Sequence, residues 1–172
     1  MNFSYALIPV LLLSLPTSSA GDSDRVLAQN YVRDFYSWYV PIANGHQKGI
    51  SSDVVLEKKP NLFYKPLLKA LKFDAKRRMA VSGEINGLDF DPFLNSQDPA
   101  PRYTPKVVQK WQGLYHVQIF ESDSDGSNPR LAVTAEVRVN GGKCEFTNFY
   151  YPKGQSLMAL LTRLHPGANF DE

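Results

Sequence analysis

Between residues 24 and 40 the apolar side chains Ala28, Tyr31, Val32, Phe35 and Tyr39, followed by Ile42, return at intervals of three and four. This is the period of one helical face and predicts a first amphipathic helix. Asp22 or Ser23 is placed to cap it, Arg25, Gln29, Asn30, Arg33 and Ser37 cover its outer side, and Pro41 helps stop it before a turn at Asn44-Gly45. A short helix through Leu56 is expected after Ser51-Ser52-Asp53. Pro60 and Pro66 interrupt the next stretch, because proline has no N–H to donate inside a helix, and Pro66 suits a helix's first turn. From there to Arg78, Leu67, Leu68, Leu71 and Ala75 oppose Lys65, Lys69, Lys72 and Lys76, the pattern of an amphipathic helix with a solvated lysine stripe.

Residues 82–105 are dense in Gly, Asn, Asp and Pro and read as a structured loop. The period then changes to two. Tyr115, Val117 and Ile119 alternate with His116, Gln118 and Phe120, and Leu131, Val133, Ala135, Val137 and Val139 alternate with Ala132, Thr134, Glu136 and Arg138. This alternation predicts two half-buried strands, joined by a hairpin loop over 123–129. Asn140-Gly141-Gly142 turns the second into a third strand over 144–151. A last helix over 155–164 brings Leu157, Leu160, Leu161 and Leu164 to one side and ends at His165-Pro166-Gly167. The expected class is α+β, with N-terminal helices packed on one face of a curved antiparallel sheet of three or more strands, a C-terminal helix, and the other sheet face open. This order resembles the cystatin-like cone of nuclear transport factor 2-like proteins.

The chain has 172 residues, and the first twenty carry no charged side chain. Residues 6–15 form an apolar run followed by Pro16-Thr17-Ser18-Ser19-Ala20, the layout of a signal peptide over 1–20 with cleavage before Gly21. The remaining residues, 21–172, suit one domain. The run is half of the roughly 20 apolar residues a spanning helix needs, so no stable membrane anchor is expected. Cys144 is the sole cysteine, which excludes an internal disulfide and leaves no lipid-attachment site after the leader. The expected location is periplasmic or secreted.

The net charge of +2 hides an uneven distribution. Lys58, Lys59, Lys65, Lys69, Lys72, Lys76, Arg77 and Arg78 form a basic face opposed only by Glu57 and Asp74. Acidic stretches come after it at Glu84, Asp89, Asp91 and Asp98, and at Glu121, Asp123 and Asp125. For an exported chain the basic face does not imply nucleic acid.

Three segments carry a family resemblance: Tyr31-Val32-Arg33-Asp34-Phe35-Tyr36-Ser37-Trp38-Tyr39, Asp89-Phe90-Asp91-Pro92-Phe93-Leu94-Asn95-Ser96-Gln97-Asp98, and the strand region. Together they resemble the uncharacterised bacterial family 3828 of the domains of unknown function. The resemblance implies an exported or lipid-anchored protein with the cone fold, and it brings no catalytic residue.

Asp89, Asp91, Asn95 and Asp98 place four oxygen side chains within ten residues, a weak calcium motif. An EF-hand would need Asp or Asn where Phe93 stands and glycine where Leu94 stands, so Asx turns are the commoner use. The 121–126 stretch imitates a calcium loop more closely but has Ala132 where a bidentate Glu is expected. His46, His116 and His165 stand beside no recognisable nucleophile motif, and no cofactor is called for. If the strands pair as the hairpin suggests, His116, Gln118, Thr134, Glu136 and Arg138 line the same sheet side, as a solvated face, a dimer interface or an acid–base pocket. Tyr36 and Trp38 fall off the main apolar stripe, which makes them candidates for a pocket mouth or a protein interface. Together these features point to an exported, non-enzymatic interaction module of the bacterial envelope, of accessory or immunity type, with another envelope protein as partner. The alternative is a small-ligand binder or enzyme using the interior of the cone. The export reading predicts that the chain, purified from the periplasm of its own host, has an intact mass that starts at Gly21; a mass that retains the leader would refute it.

Overall fold

The computed structural model describes residues 20–45, 50–80 and 87–170. The leader through residue 19, with its expected cleavage signal, and His46 and Glu84 lie outside the described residues. Helix α1 (Ala20–Ala43) leads to α2 (Ser51–Lys58), a 3-10 turn (Pro60–Leu62) and α3 (Lys65–Ala80). Strands β1 (Arg102–Trp111), β2 (Leu114–Ser122), β3 (Arg130–Asn140) and β4 (Lys143–Tyr150) come next, and α4 (Leu157–Leu164) is last. The fold is α+β, with helices packed against an antiparallel meander of strand order β1-β2-β3-β4.

The two-residue alternation becomes the two faces of the sheet. On the inner face Tyr115, Val117 and Ile119 pair with Val137, Ala135 and Val133, and all six are at most 2% exposed. On the outer face His116 pairs with Glu136, and Gln118 with Thr134, the register the hairpin suggests. An irregularity between Ile119 and Phe120 leaves Ala132 as an extra residue, which turns inward while Leu131 stays half-exposed, the reverse of the simple alternation. Gly141 and Gly142 link β3 to β4 with φ of 56° and 78°, the left-handed pair that a tight hairpin requires.

Between α1 and the sheet lies an aromatic core. Phe35 stacks on Tyr39 at 5.3 Å between ring centres and meets Phe93 at 5.6 Å and Phe146 at 5.0 Å. Phe93 in turn meets Phe63 at 5.4 Å and Phe149 at 5.2 Å. Full burial of each ring contributes roughly 2–3 kcal/mol, in a chain whose one cysteine, Cys144, is free.

Several expectations are corrected. Residues 102–105 belong to β1, which the loop reading of 82–105 missed. Pro105 masks this strand's pattern, and it is tolerated because β1 is the sheet's edge and the pairing shifts between Pro105 and Val107. Helix α1 continues through Pro41 to Ala43; Ser37 and Pro41 both face solvent, so water can satisfy the carbonyl that loses its donor. Asp22 lies in the first turn of α1 rather than ahead of it. Ser156 caps α4 by accepting the Ala159 N–H, so that helix starts at Leu157, and Leu164 is 42% exposed instead of sharing the buried side with Leu157 and Leu161.

The basic segment is also divided. Lys65, Lys69, Lys72 and Lys76 are exposed on α3 as the stripe predicts, but Arg78 is not part of a basic face. Its guanidinium is bound by Asp74 and, at 2.6 Å, by Asp53. Asp74 is fully buried and also accepts from the Leu88 N–H at 3.1 Å and faces His165 Nε2 at 2.9 Å. The Asp74 carboxylate ties α3 to the end of α4 and to the segment leaving Gly87, while Arg78, which it holds, ties α3 to α2 through Asp53. A Cβ on Gly87 would stand 2.6 Å from Asp74 Oδ1, so the backbone must pass there without a side chain. Asp74→Ala leaves the buried Arg78 guanidinium with Asp53 alone and strands an imidazole and an N–H; it is expected to lower unfolding stability by about 3–5 kcal/mol, with Asp74→Asn losing less, as read by urea denaturation.

Candidate functional site

The outer face of the sheet gathers polar groups around Glu136, which is only 7% exposed. A second pairing irregularity, between Glu136 and Val137, leaves Thr147 of β4 as the extra residue. Thr147 shares the outer face with Glu145 by simple alternation, and its hydroxyl donates to Glu136 Oε1 at 2.6 Å. Tyr150, paired with Thr134, donates its hydroxyl to the other carboxylate oxygen at 2.9 Å. Burial and the neighbouring carboxylate both raise the Tyr150 pKa, which keeps that hydroxyl protonated as a donor.

His116 completes the group. Its Nε2 stands 3.5 Å from Glu136 Oε2, within ion-pair range but without hydrogen-bond geometry, and it has no hydrogen-bond partner among the described residues. The imidazole lies between two rings, Tyr150 at 5.6 Å and Trp111 at 5.8 Å. Trp111 ends β1 beside the turn to β2 and is 59% exposed, the most of the large apolar side chains among the described residues. Next along the face, Arg138 forms an ion pair with Glu145 at 2.7 Å and lies 4.0 Å over the Tyr64 ring. Gln118 and Thr134 are half-buried beside them.

His116, Gln118, Glu136 and Arg138 therefore share one face as the sequence places them. Sequence reasoning missed Trp111, Thr147 and Tyr150. Trp111 sits on the strand that Pro105 disguises, and Tyr150, rather than Phe149, reaches the outer face only because of the irregularity in pairing. Chemically, both hydroxyls donate to an anchored carboxylate, and Trp111, Tyr150, His116 and Arg138 present rings and a planar cation around it. Such side chains are enriched where proteins bind proteins.

The two aromatic candidates on α1 lie away from this face. Tyr36 is no pocket mouth: it is 1% exposed, stacks on Tyr103 at 6.1 Å and donates its hydroxyl to the Phe93 carbonyl at 2.6 Å. A tyrosine off the apolar stripe enters a core when its polar tip finds an acceptor, and the 93 segment supplies one. Trp38 is half-buried, with Lys59 Nζ 4.2 Å above its ring.

The four oxygen-bearing residues of 89–98 do not converge. Asp91 accepts the N–H groups of Phe93 and Leu94 through Oδ1 and the Tyr39 hydroxyl through Oδ2. Asn95 reaches the Ala132 carbonyl, Asp89 meets Gln97, and Asp98 lies in a turn with Ser96. These are the Asx-turn uses rather than ligation, and among the described residues no group of three His, Cys, Asp or Glu is placed to hold a metal ion. The acidic hairpin closes on itself in the same way, as the Asp123 carboxylate accepts from Ser127 and Asn128. Two open clefts of about 220 and 290 Å³ flank this hairpin; Glu121 and Asp123 of the acidic stretch line the larger, and neither cleft is lined by the outer-face residues, by Tyr36 or Trp38, or by the acids of 89–98.

No family model, no curated protein and no solved structure matches this chain.

Burial pushes the Asp91 carboxyl up to about 6 from an ordinary 3.8, against the lowering effect of its three donors. A raised folded-state pKa means that the group's contribution is fully present below pH 3.8 and is lost as pH rises through 6. The expected loss over that window is on the order of 2 kcal/mol. Asp91→Asn keeps an oxygen acceptor without the charge, so it should flatten this part of the stability–pH curve while equalling or exceeding the parent at pH 7, as measured by chemical denaturation at a series of pH values.

Proposed function

We propose that the protein is an exported, non-enzymatic binding module of the bacterial envelope, of accessory or immunity type, and that the outer sheet face around Trp111 and His116 is where it engages another protein. The observation that carries this reading is the exposure of Trp111 at 59% on a face whose polar centre, Glu136, is already anchored by Thr147 and Tyr150. An exposed indole next to rings, a guanidinium and half-buried amides has the composition of a protein-binding hot spot with a polar rim. The apolar leader pattern of residues 1–20 and the resemblance to the exported family 3828 support the location.

The interior of the fold gives less support to a ligand pocket. Phe35, Tyr39, Phe63, Phe93, Phe146 and Phe149 fill the space between α1 and the sheet, each at most 3% exposed.

A photo-crosslinker placed at Gln118 is expected to capture an envelope protein that the same probe at Lys153 does not capture. Trp111→Ala should weaken that contact at least tenfold while changing unfolding stability by less than about 0.5 kcal/mol, because the indole is mostly in solvent. No product at Gln118 in whole-envelope extracts would refute the reading, and a product of twice the chain's own mass would reassign the face to a homodimer.

A further inference from the structure

The outer side of α3 carries cations alone. Successive residues of a helix are about 100° apart, so Lys65, Lys69, Lys72 and Lys76 fall within an arc of about 60°, and all four are exposed. The one acidic residue of α3, Asp74, points the opposite way, into the ion pair with Arg78 and the contact with His165. Among the described residues none of the four lysines is in an ion pair. Lys65 with Lys69 and Lys72 with Lys76 are like-charge pairs four residues apart, which oppose helix formation rather than support it. A solvated helix face ordinarily intersperses acids among its lysines, and this one does not.

Beside the ridge is an apolar side chain. Phe73 is 38% exposed, with its inner edge against His165 and Phe170 and the Arg77 guanidinium 5.9 Å from its ring centre. From Lys65 to Lys76 the ridge runs about 17 Å along a convex cylinder. We infer that this ridge is a reversible docking surface for an anionic lipid bilayer, with the lysines over the headgroups and Phe73 at the hydrocarbon boundary. Charge complementarity selects an anionic surface. The convex shape and the exposed ring favour a bilayer, since a helix lying flat meets a plane along its whole length and the ring finds hydrocarbon there. The contact stands apart from membrane spanning, for which no helix of the described residues is long and apolar enough. It is also independent of the sheet face, which shares no residue with it.

The test is co-sedimentation of the full chain with vesicles of about one-third phosphatidylglycerol in phosphatidylcholine at roughly 50 mM salt. The comparison is with the triple variant Lys69→Gln, Lys72→Gln, Lys76→Gln, which keeps good helix formers at exposed sites and is checked by circular dichroism. A juxtamembrane lysine is worth roughly fivefold in partitioning, so the variant is expected to bind on the order of 100-fold more weakly. That difference should vanish on pure phosphatidylcholine vesicles and at about 0.5 M salt, where charges at this range are screened. Phe73→Ala should weaken binding several-fold without altering the salt dependence. A charge-matched control, Lys106→Gln with Lys110→Gln and Lys153→Gln, should bind as the parent does. Equal binding by the ridge variant and the parent would overturn the inference, as would an equal loss in the control. Duplex DNA that strips the protein from the vesicles at equal phosphate concentration would overturn it in favour of a nucleic-acid surface.

Discussion

Three buried tyrosine hydroxyls hold one short stretch of backbone, and the packing of the whole protein depends on where they put it. Tyr36 donates to the Phe93 carbonyl, Tyr151 to the Pro92 carbonyl at 3.0 Å, and Tyr39 to the Asp91 carboxylate. Asp91 in turn gathers the N–H groups of Phe93 and Leu94, so the segment is fixed from both its donor and its acceptor sides. The result is that Phe93, on a segment with no regular structure, enters the centre of the core at 0% exposure and touches α1, the 3-10 region and β4 through Tyr39, Phe63 and Phe149. Burial raises the pKa of all three phenols, so the hydroxyls stay protonated as donors over the physiological range.

Such cross-chain anchoring explains why some of the structure was legible in the sequence and some was not. Periodicity reports which side chains share a face of one element, and it placed α1, α3, β2 and β3, the shared sheet side of His116 and Glu136, and the exposed lysines. It cannot report that a second layer covers the flank of a helix. Tyr36 looked off-stripe because the 93 segment, dense in turn residues, gave no sign that it would pack against α1. Asp74 looked like one acid among many lysines, although its partners His165 and Leu88 lie 91 and 14 positions away. Strand β1 was hidden by Pro105, a residue that reads as a breaker everywhere except on an edge. The outer-face cluster was half legible for a related reason: alternation gives the face each residue takes until a pairing irregularity shifts it, and here the shift at Thr147 brings Tyr150 out in place of Phe149.

Buried charge is used in two different ways. Asp74 is consumed by its partners and binds secondary structure together, and losing it should be felt everywhere. Glu136 is also satisfied, but by hydroxyls on a face that solvent reaches, and next to it His116 Nε2 is left without a hydrogen bond among the described residues. That nitrogen is shielded from solvent, so the exposed indole of Trp111 is what this face first offers to whatever approaches. The lysine ridge on α3 offers the opposite kind of recognition, broad and salt-sensitive, so the two surfaces suit partners of different chemistry.

The edges of the meander are treated unequally. Residues Phe63 and Tyr64 lie along β4, where the Tyr64 N–H donates to the Phe146 carbonyl at 2.9 Å, so that margin is already occupied. No strand of the described residues pairs with the margin at β1, yet Pro105 deletes a donor in its middle and Lys106 bulges out beside it with its ammonium over Phe120. A second copy attempting to extend the sheet there would find the row of hydrogen bonds broken and a charge in the way. Crowded solutions of this protein should therefore remain free of sheet-extended fibres even though an aromatic-rich β-surface stands open to solvent.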